Sequence, residues 1–412
     1  MLVYVLNKNK EPLMPCKPAK ARKLLKMNKA KVIQKKPFTI QLLYGSSGYK
    51  QEISLGVDTG SKFIGLSATT EKKELYASTV ELRNDIVKLN SDRKQYRKNR
   101  RSRNTRYRKP RFNNRRKGKN WISPSIKHKI DTHLKSIDNV YKILPISKLI
   151  VELANFDIQK IKNPNISGVE YQHGEQLGFL NLKQYILHRD HYTCQYCKGK
   201  SKDHVLNIHH IESRKTGGDS PDNLITLCKT CHTKFHNGEI QLNIKRKQSF
   251  RDASFMNFMK WRLFDKLKEL YSNVSMTFGY ITNHIRTKYG LPKEHYVDAR
   301  CISGNPTAEP LDYYFYLKKV RCHNRQIHKA NPKKGKRRLK QAPYIVKGFR
   351  LYDNVDYDGQ ECFIWGRRRS GYFLLKKLDG TVIHNTATYK KIKLLLPRRS
   401  YLIETRRVVT SL

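Results

Sequence analysis

Four cysteines in two closely spaced pairs carry the strongest chemical signal in the sequence. Each pair has the spacing C-x2-C, at Cys194/Cys197 and at Cys228/Cys231, and 30 residues separate the two pairs. Two such thiolate pairs can close a tetrahedral site, and soft sulfur ligands favour zinc. Because four thiolates leave no coordination position open, the pattern predicts a structural Zn²⁺ site.

A second set of ligand-type residues lies between and after the cysteine pairs. Its members are His209, His210, Asn223, His232 and His236. The last two are four positions apart on a predicted helix, so their imidazoles share one face. Lone histidines are usually ordinary surface or core residues, but this ordered set is not well explained in that way. An imidazole near neutral pKa and a divalent cation are what a hydrolytic nuclease requires.

Carboxylates from three distant segments form a third set. Asp58 follows the strand-like run ISLGV, Glu152 follows the apolar run SKLIV, and His295 and Asp298 are three positions apart on a predicted helix. An acidic residue at the end of a buried strand needs a metal ion or a partner. Three carboxylates that converge on one sheet edge can hold two divalent cations for phosphodiester hydrolysis. Taken singly, Asp58 could instead cap a turn, and Asp298 could be a helix N-terminal charge.

The elements that must position these residues can be predicted from the periodicity of the apolar residues. Residues 53–82 contain three β-type runs separated by turn residues, which predicts an antiparallel meander, and SKLIVEL is typical of a buried parallel strand. The first 50 residues predict a strand, a Lys-rich helix over 18–29 and a second strand. Short strands around Asp-Gly turns over 343–405 predict a small barrel.

The charge of the chain restricts its partners. Its 412 residues include 85 Lys and Arg against 33 Asp and Glu, a formal net charge of +52. Such an excess favours association with phosphate backbones. No apolar run is long enough to span a membrane, so no membrane partner is expected, and the short apolar N-terminus does not fit a secretory signal. The other cysteines are scattered, as expected of free thiols in a cytoplasmic protein; they are Cys16, Cys301, Cys322 and Cys362.

The cations are densest over residues 92–119, where 15 Lys or Arg accompany one Asp. No proline interrupts the chain from Arg83 to Lys109, so a long helix that binds nucleic acid is possible. The alternative is a disordered basic arm, because like charges at this density destabilise an isolated helix. The expected nucleic-acid-binding side chains are Arg93, Arg97, Arg100, Arg101, Arg103, Arg106 and Arg108.

The histidine set resembles the motif of the HNH, or ββα-metal, nucleases. The resemblance implies that His209 and His232 hold one divalent cation, with His236 as a ligand that some members lack. It further implies that His210 is the general base and that Asn223 orients it.

The order of all these motifs along the chain resembles one family in particular. GVDTGSK, the IVEL strand and a helical HxxD resemble the RuvC variant of the RNase H-like fold, interrupted by an HNH module before its third segment. A basic helix after the first segment, and the run Glu11-Pro12-Leu13-Met14-Pro15, resemble the bridge helix and PLMP segment of IscB. IscB proteins are transposon-encoded relatives of the type II CRISPR effector nucleases. The absence of a large helical lobe before Glu152 is also similar to IscB.

The fold that this resemblance implies is a multidomain α/β chain with a split RNase H-like (RuvC) fold, an inserted ββα-metal HNH module, and a small β-barrel-like C-terminal domain. The implied segments are 1–52 (PLMP domain), 53–82 (RuvC I), 83–120 (bridge helix), 121–164 (RuvC II), 165–250 (HNH with zinc knuckles), 251–317 (RuvC III) and 318–412 (basic linker and C-terminal domain for RNA and target interaction).

The implied function is RNA-guided DNA cleavage by a monomer bound to a large non-coding RNA, in a prokaryotic cytoplasm close to the nucleoid. The HNH site would cut the guide-paired strand and the RuvC-like site the displaced strand, both with Mg²⁺, and the protein would read a short flanking motif in the duplex. Two alternatives remain: an unguided structure-selective nuclease, and a nucleic-acid-binding structural protein. Copurifying RNA separates the first from a guided enzyme, and metal-dependent cleavage separates enzymes from binders.

Overall fold

The computed structural model describes residues 1–46, 48–101, 121–153, 167–173, 175–212, 214, 218–244, 251–321, 329–330, 337–338 and 343–408. The chain forms two compact units. The main unit comprises residues 1–84, 99–155 and 256–412, and the inserted unit comprises residues 85–98 and 156–255. None of the helices in the described ranges combines the length and the apolar character needed to cross a lipid bilayer.

Helices and strands follow one another along both units. The helices are α1 (Pro18–Lys26), α2 (Ile86–Arg101), α3 (Pro124–Tyr141), α4 (Leu182–Arg189), α5 (Lys229–Asn237), α6 (Arg251–Leu270), α7 (Gly279–Lys288) and α8 (His295–Ile302). The strands are β1 (Val3–Leu6), β2 (Pro12–Cys16), β3 (Ala30–Gln34), β4 (Thr39–Leu42), β5 (Ser54–Thr59), β6 (Phe63–Thr69), β7 (Glu74–Glu81), β8 (Lys148–Glu152), β9 (Leu206–His210), β10 (Leu224–Cys228), β11 (Val274–Thr277), β12 (Tyr313–Lys319), β13 (Lys329–Ala330), β14 (Arg337–Arg338), β15 (Asn354–Tyr357), β16 (Gln360–Arg367), β17 (Tyr372–Lys376), β18 (Val382–Thr388), β19 (Ile392–Leu396) and β20 (Tyr401–Arg407).

The N-terminal segment forms a four-stranded sheet in the order β2-β1-β4-β3, accompanied by α1. The predicted strand, helix and second strand are β1, α1 and β4, and β1 pairs with β4 in parallel. Strands β2 and β3 were not predicted. PLMPC contains two prolines, and AKVIQ exposes three consecutive residues, so neither shows the alternation of a half-buried strand.

A seven-stranded sheet forms the centre of the main unit, in the order β11-β8-β5-β6-β7-β12-β20. Strands β5, β6 and β7 are the predicted antiparallel meander. Strand β8 pairs in parallel with both β5 and β11, as the apolar run SKLIVEL predicted. The carboxyl ends of β5, β8 and β11 therefore lie at one edge of the sheet.

Helix α8 lies directly on this sheet because two glycines allow its backbone to approach. A Cβ atom added to Gly56 of β5 would lie 2.0 Å from the carbonyl oxygen of Ala299, and one added to Gly65 of β6 would lie 1.9 Å from that of His295. Neither distance is possible for a real Cβ atom, so any larger residue would displace the helix. These contacts fix the position of the first turn of α8 relative to β5.

The C-terminal segment corrects the predicted barrel. Strands β15 to β19 form an open five-stranded sheet in the order β18-β17-β16-β15-β19, whose two edge strands do not pair with each other in the described part of the chain. Strand β20 leaves this sheet and pairs with β12 in the central sheet. The predicted segment 318–412 therefore begins inside β12 and ends with a strand of the central sheet. The sequence YLIETRR predicts that β20 is a strand but not which strand it pairs with, because its partner, β12, is remote in the chain.

The inserted unit contains the hairpin β9-β10, followed directly by α5, together with α4 and most of α2. Helix α2 runs to Arg101, about 24 Å at 1.5 Å per residue, and exposes the side chains of Arg93 and Arg97. The predicted continuation to Lys109 lies outside the described residues. So do the side chains of five predicted nucleic-acid-binding residues: Arg100, Arg101, Arg103, Arg106 and Arg108.

Candidate active sites

The first candidate site lies at the carboxyl ends of two neighbouring parallel strands. Val57 of β5 pairs with Val151 of β8, so the next residues, Asp58 and Glu152, lie side by side at the sheet edge. The hydroxyl of Thr59 donates a hydrogen bond of 2.6 Å to the carbonyl oxygen of Glu152, which ties the strand ends together. Strand register alone therefore brings together two acidic residues that are far apart in sequence.

Helix α8 supplies the other two predicted residues. Nδ1 of His295 lies 2.6 Å from Oδ2 of Asp58, and Asp298 follows one turn later. The charges of Asp58 and Asp298 both act on Glu152. The structure thus brings the four predicted residues into one cluster, the carboxylate centre, defined by Asp58, Glu152, His295 and Asp298.

The carboxylate centre concentrates three acidic side chains in a partly buried place. Burial, followed by the charge of Asp58, raises the pKa of Glu152 to about 7. Burial and the charge of Asp58 also raise the pKa of Asp298, and the hydrogen bond to Asp58 raises the pKa of His295. Carboxylates that repel one another in this way are the donor set that divalent cations neutralise. Carboxylate oxygens are also the ligands that Mg²⁺ prefers in proteins.

Helix α7 contributes residues that the sequence did not reveal. The hydroxyl of Thr282 donates a hydrogen bond of 2.6 Å to Oε2 of Glu152. Nε of Arg286 approaches Oδ1 of Asp298 to 3.0 Å as an ion pair, although the two atoms lack hydrogen-bond geometry. Thr282 and Arg286 are four positions apart on one helix face. Two polar residues four positions apart are common in helices that form no active site, so this spacing could not identify Thr282 and Arg286 in the sequence.

Glu152→Gln is expected to stabilise the metal-free protein in a way that depends on pH. Because the folded-state pKa is about 7 against an ordinary 4.5, the folded protein loses stability as pH rises from 4.5 through 7. Above pH 7 the free energy of unfolding of Glu152→Gln should therefore exceed that of wild type by up to about 3 kcal/mol. Below pH 4.5 the two proteins should be equally stable. Thermal unfolding in chelator at pH 5 and pH 8 measures this. An equal gain at both pH values, or a gain in the exposed control Glu52→Gln, would contradict it.

Gly65→Ala is expected to inactivate the carboxylate centre without touching any of its side chains. The new methyl group would meet the His295 carbonyl and lie 3.2 Å from the Asp58 Cβ, so the first turn of α8 must move away. Since misplacement by about 1 Å can cost 100-fold in rate, any reaction that this centre carries out should slow at least that far. Gly45→Ala is the matched control, because nothing lies within 4 Å of its added Cβ. Wild-type cleavage by Gly65→Ala would show that the close approach is not needed.

The second candidate site is an imidazole cluster in the inserted unit. His209 is on β9, and His232 and His236 are on α5, which begins directly after β10. One ring nitrogen of each lies within 4.8 Å of the others, and the Nε2 atoms of His232 and His236 are 3.3 Å apart. Burial, and then the neighbouring imidazoles, lower the pKa of His209 to about 4, so the ring is neutral and able to bind a cation. The structure thus brings these three predicted ligands together.

His210, the predicted general base, has a hydrogen-bond partner that was not predicted from the sequence, Asp219. Its Nε2 atom lies 2.8 Å from Oδ1 of Asp219, and the pKa of Asp219 is lowered by this hydrogen bond and by Arg214. A carboxylate on one ring nitrogen fixes the orientation of the ring and leaves the other nitrogen for substrate. The signal available in the sequence was an acidic residue in the loop between the hairpin strands.

In the described part of the chain, the side chain of Asn223 makes its hydrogen bonds to the backbone and none to the His210 imidazole. Its amide nitrogen donates to the carbonyl oxygens of Glu212 and Gly218, at 3.0 and 2.9 Å, and its Oδ1 accepts from the Glu212 amide. The side chain is fully buried. Asn223 therefore ties the backbone of Glu212 to that of Gly218, the residue directly before Asp219.

The four thiols of Cys194, Cys197, Cys228 and Cys231 lie within 4.8 Å of one another, as the two C-x2-C pairs predicted. Three of the four side chains are buried, and they pack with Ile225 and Leu227 in the small core of the module. An all-sulfur set of this size fits zinc, and its position inside the core fits a structural role.

Two family profiles match the chain. Residues 3–174 match the family described as RRXRR protein, and residues 194–238 match HNH endonuclease. The RRXRR module followed by an HNH domain is the architecture of IscB-like nucleases.

Curated relatives match shorter stretches. The chain is 26% identical over 175 residues to the retron Ec83 putative HNH endonuclease of Escherichia coli, a match that covers 39% of this chain and 65% of the relative. It is 40% identical over 57 residues to anaredoxin of Nostoc sp., covering 13% of this chain and 71% of that protein. The second match places the two proteins in one family over the matched segment. The chain spans less than two thirds of the retron relative.

Solved structures give a weaker likeness. Cas9 of Streptococcus thermophilus in complex with the GGAA PAM has a TM-score of 0.33 and 16% identity, and the match covers 52% of this chain and 30% of Cas9. The complex with the AGGA PAM has a TM-score of 0.33 and 13% identity, with 62% and 32% covered. These TM-scores are too low to establish a common fold.

Proposed function

Because the chain belongs to the HNH nucleases with IscB-like architecture, we propose that it is an RNA-guided DNA endonuclease that cuts the two strands at separate sites. The observation that carries this proposal is the presence of two donor sets of different chemistry in one chain. Three carboxylates and a histidine converge in the main unit, and three imidazoles converge in the inserted unit.

We assign cleavage of the guide-paired strand to the inserted unit. His209, His232 and His236 would hold one divalent cation, which supplies charge neutralisation at the scissile phosphate. His210 would take the proton from the attacking water at the ring nitrogen that faces away from Asp219. Asp219 would keep the ring in place, and its charge would stabilise the imidazolium that forms.

We assign cleavage of the displaced strand to the carboxylate centre of a split RuvC fold. The meander β5-β6-β7, with β8 added in parallel beside β5 and β11 in parallel beside β8, supports an RNase H-like topology. Asp58, Glu152 and Asp298 would hold two Mg²⁺ ions that stabilise the attacking and leaving oxygens. His295 would then be the proton-carrying group of the centre, since its hydrogen bond with Asp58 favours the charged ring.

Guidance by RNA is supported by charge. A net charge of +52 and the cations of residues 92–119 favour binding to phosphate backbones, and a guide RNA and an opened duplex would both have to be held. Helix α2 would lie along that RNA, and residues 318–412 would contact RNA and the short flanking motif. Target sequence would be read by base pairing.

RNA that copurifies with the full chain tests this proposal. We expect one large RNA species, and we expect a changed guide segment to redirect magnesium-dependent cleavage to the matching duplex. Cleavage by RNase-treated protein at an unchanged position would instead support an unguided nuclease. Guided binding without any cleavage in magnesium would favour a binding protein.

A further inference from the structure

The beginning of helix α7 is held against the carboxylate centre. A Cβ atom added to Gly279 would lie 3.1 Å from Oε1 of Glu152, so the backbone at this point adjoins the carboxylate. Thr282, one turn later, donates its hydroxyl hydrogen to the other oxygen of the same side chain. The residues on either side of Gly279 therefore have a fixed position beside Glu152.

Those flanking residues are both aromatic. The rings of Phe278 and Tyr280 are nearly parallel, at 8°, with centroids 6.2 Å apart. At that separation the rings overlap only partly. Tyr280 is 74% exposed, and within the described part of the chain its hydroxyl makes no hydrogen bond. A ring this exposed contributes little to the core, while its backbone directly follows the glycine that lies against the Glu152 carboxylate.

The other aromatic residue at the carboxylate centre differs in this respect. Phe63 stacks on the imidazole of His295, with ring centroids 5.2 Å apart and an interplanar angle of 29°. Its face is thus already used to support a residue of the centre. Tyr280 directly follows Gly279, whose backbone lies against the Glu152 carboxylate, and its ring is exposed to an incoming group.

We propose that Tyr280, supported by Phe278, is a nucleobase-stacking subsite that positions the single strand being cut at the carboxylate centre. The base would be that of a nucleotide next to the scissile phosphate. A π-face accepts any base, so such a subsite adds affinity and register without sequence preference. This inference rests on the proposed assignment of displaced-strand cleavage to the same centre. It makes Tyr280 a positioning residue, since the ring does not reach the reacting atoms.

The test compares wild type, Tyr280→Ala and Tyr280→Phe as complete ribonucleoproteins on a duplex labelled separately on each strand. Tyr280→Ala should slow single-turnover cleavage of the displaced strand about 5- to 150-fold, the range that loss of one stacked base gives. Tyr280→Phe should retain most of the rate, because it keeps the ring. Tyr289→Ala is the matched control, because Tyr289 is a half-exposed tyrosine at the far end of α7, about 15 Å away along the helix.

An abasic scan of the displaced strand separates stacking from a general defect. In wild type, one abasic position next to the cut should reproduce the rate loss of Tyr280→Ala, and in Tyr280→Ala the same abasic position should cost nothing further. Equal sensitivity of both proteins at that position would overturn the inference. So would an equal loss of cleavage on both strands.

If the displaced strand is not cut at all, the proposed function is refuted. A fluorescence measurement still tests the stacking subsite in that case. Single-stranded DNA carrying 2-aminopurine is bound to the ribonucleoprotein in calcium. Stacking should quench the fluorescence at one position in wild type and Tyr280→Phe, but not in Tyr280→Ala. Identical quenching in all three proteins would reject the subsite.

Discussion

Asp58→Ala is expected to abolish cutting of the displaced DNA strand while the guide-paired strand is still cut, and His210→Ala is expected to give the reverse pattern. The reason is that each change removes chemistry from one cluster only. Asp58 is a carboxylate of the main unit, 9% exposed and in contact with His295. His210 belongs to the inserted unit, and its loss removes a proton acceptor worth about 10²–10⁴-fold in rate.

The assay is cleavage of a duplex labelled on each strand in turn, followed on a denaturing gel with magnesium. The double variant should bind guided target without cutting either strand, because neither residue pairs RNA with DNA. Glu152→Ala and Asp298→Ala should behave like Asp58→Ala. The controls are Asp131→Ala and His204→Ala, which remove an exposed residue of the same type from each unit. If His210→Ala stopped cutting of both strands equally while binding persisted, one shared centre would replace the two-site mechanism.

Cys228→Ser is expected to unfold the HNH module, with loss of one zinc equivalent per chain. The Cys228 side chain is buried between the other thiols and the apolar side chains of the module, whose core is small. Zinc binding in such modules supplies about 10–16 kcal/mol at pH 7, more than a core of this size can replace. The three imidazoles are held by β9 and α5, so their cluster should be lost together with the thiol site.

Elemental analysis gives the zinc content, and limited proteolysis shows which part of the chain has unfolded. New cleavage sites should be confined to residues 175–244, with the main unit intact. Cys16→Ser, a half-buried thiol of the N-terminal sheet, is the control and should keep its zinc. A folded and active preparation without zinc would refute the assignment of the four thiols.

The sequence predicted the residues of both candidate sites better than it predicted their surroundings. Asp58 and Glu152 were visible because a carboxylate ends an otherwise apolar strand, and the cysteines were visible because their spacing is rare. Asp219, Thr282 and Arg286 are common residue types without a fixed spacing to their partners. Their roles depend on long-range packing, which the local pattern does not contain.

Register and sheet membership account for the other differences. The pairing of Val57 with Val151 could not be derived from either strand alone, although it determines the distance between the two carboxylates. The assignment of β20 to the small C-terminal sheet was wrong because the choice of partner strand depends on the whole sheet. The loop held by Asn223 likewise depends on backbone groups, which have no signature in the side-chain sequence.

The pairing of β20 with β12 has a consequence for the order in which the chain can fold. The central sheet is assembled from strands that are far apart in sequence, since the inserted unit separates β8 from β11 and the C-terminal sheet separates β12 from β20. Such non-local pairing is slow, and the sheet must wait for segments that the ribosome makes late. Until residues 401–407 emerge, one edge of β12 has unpaired backbone groups that are open to other chains. Meanwhile the HNH module, whose contacts are local and whose metal ligands lie close together in sequence, can already be complete.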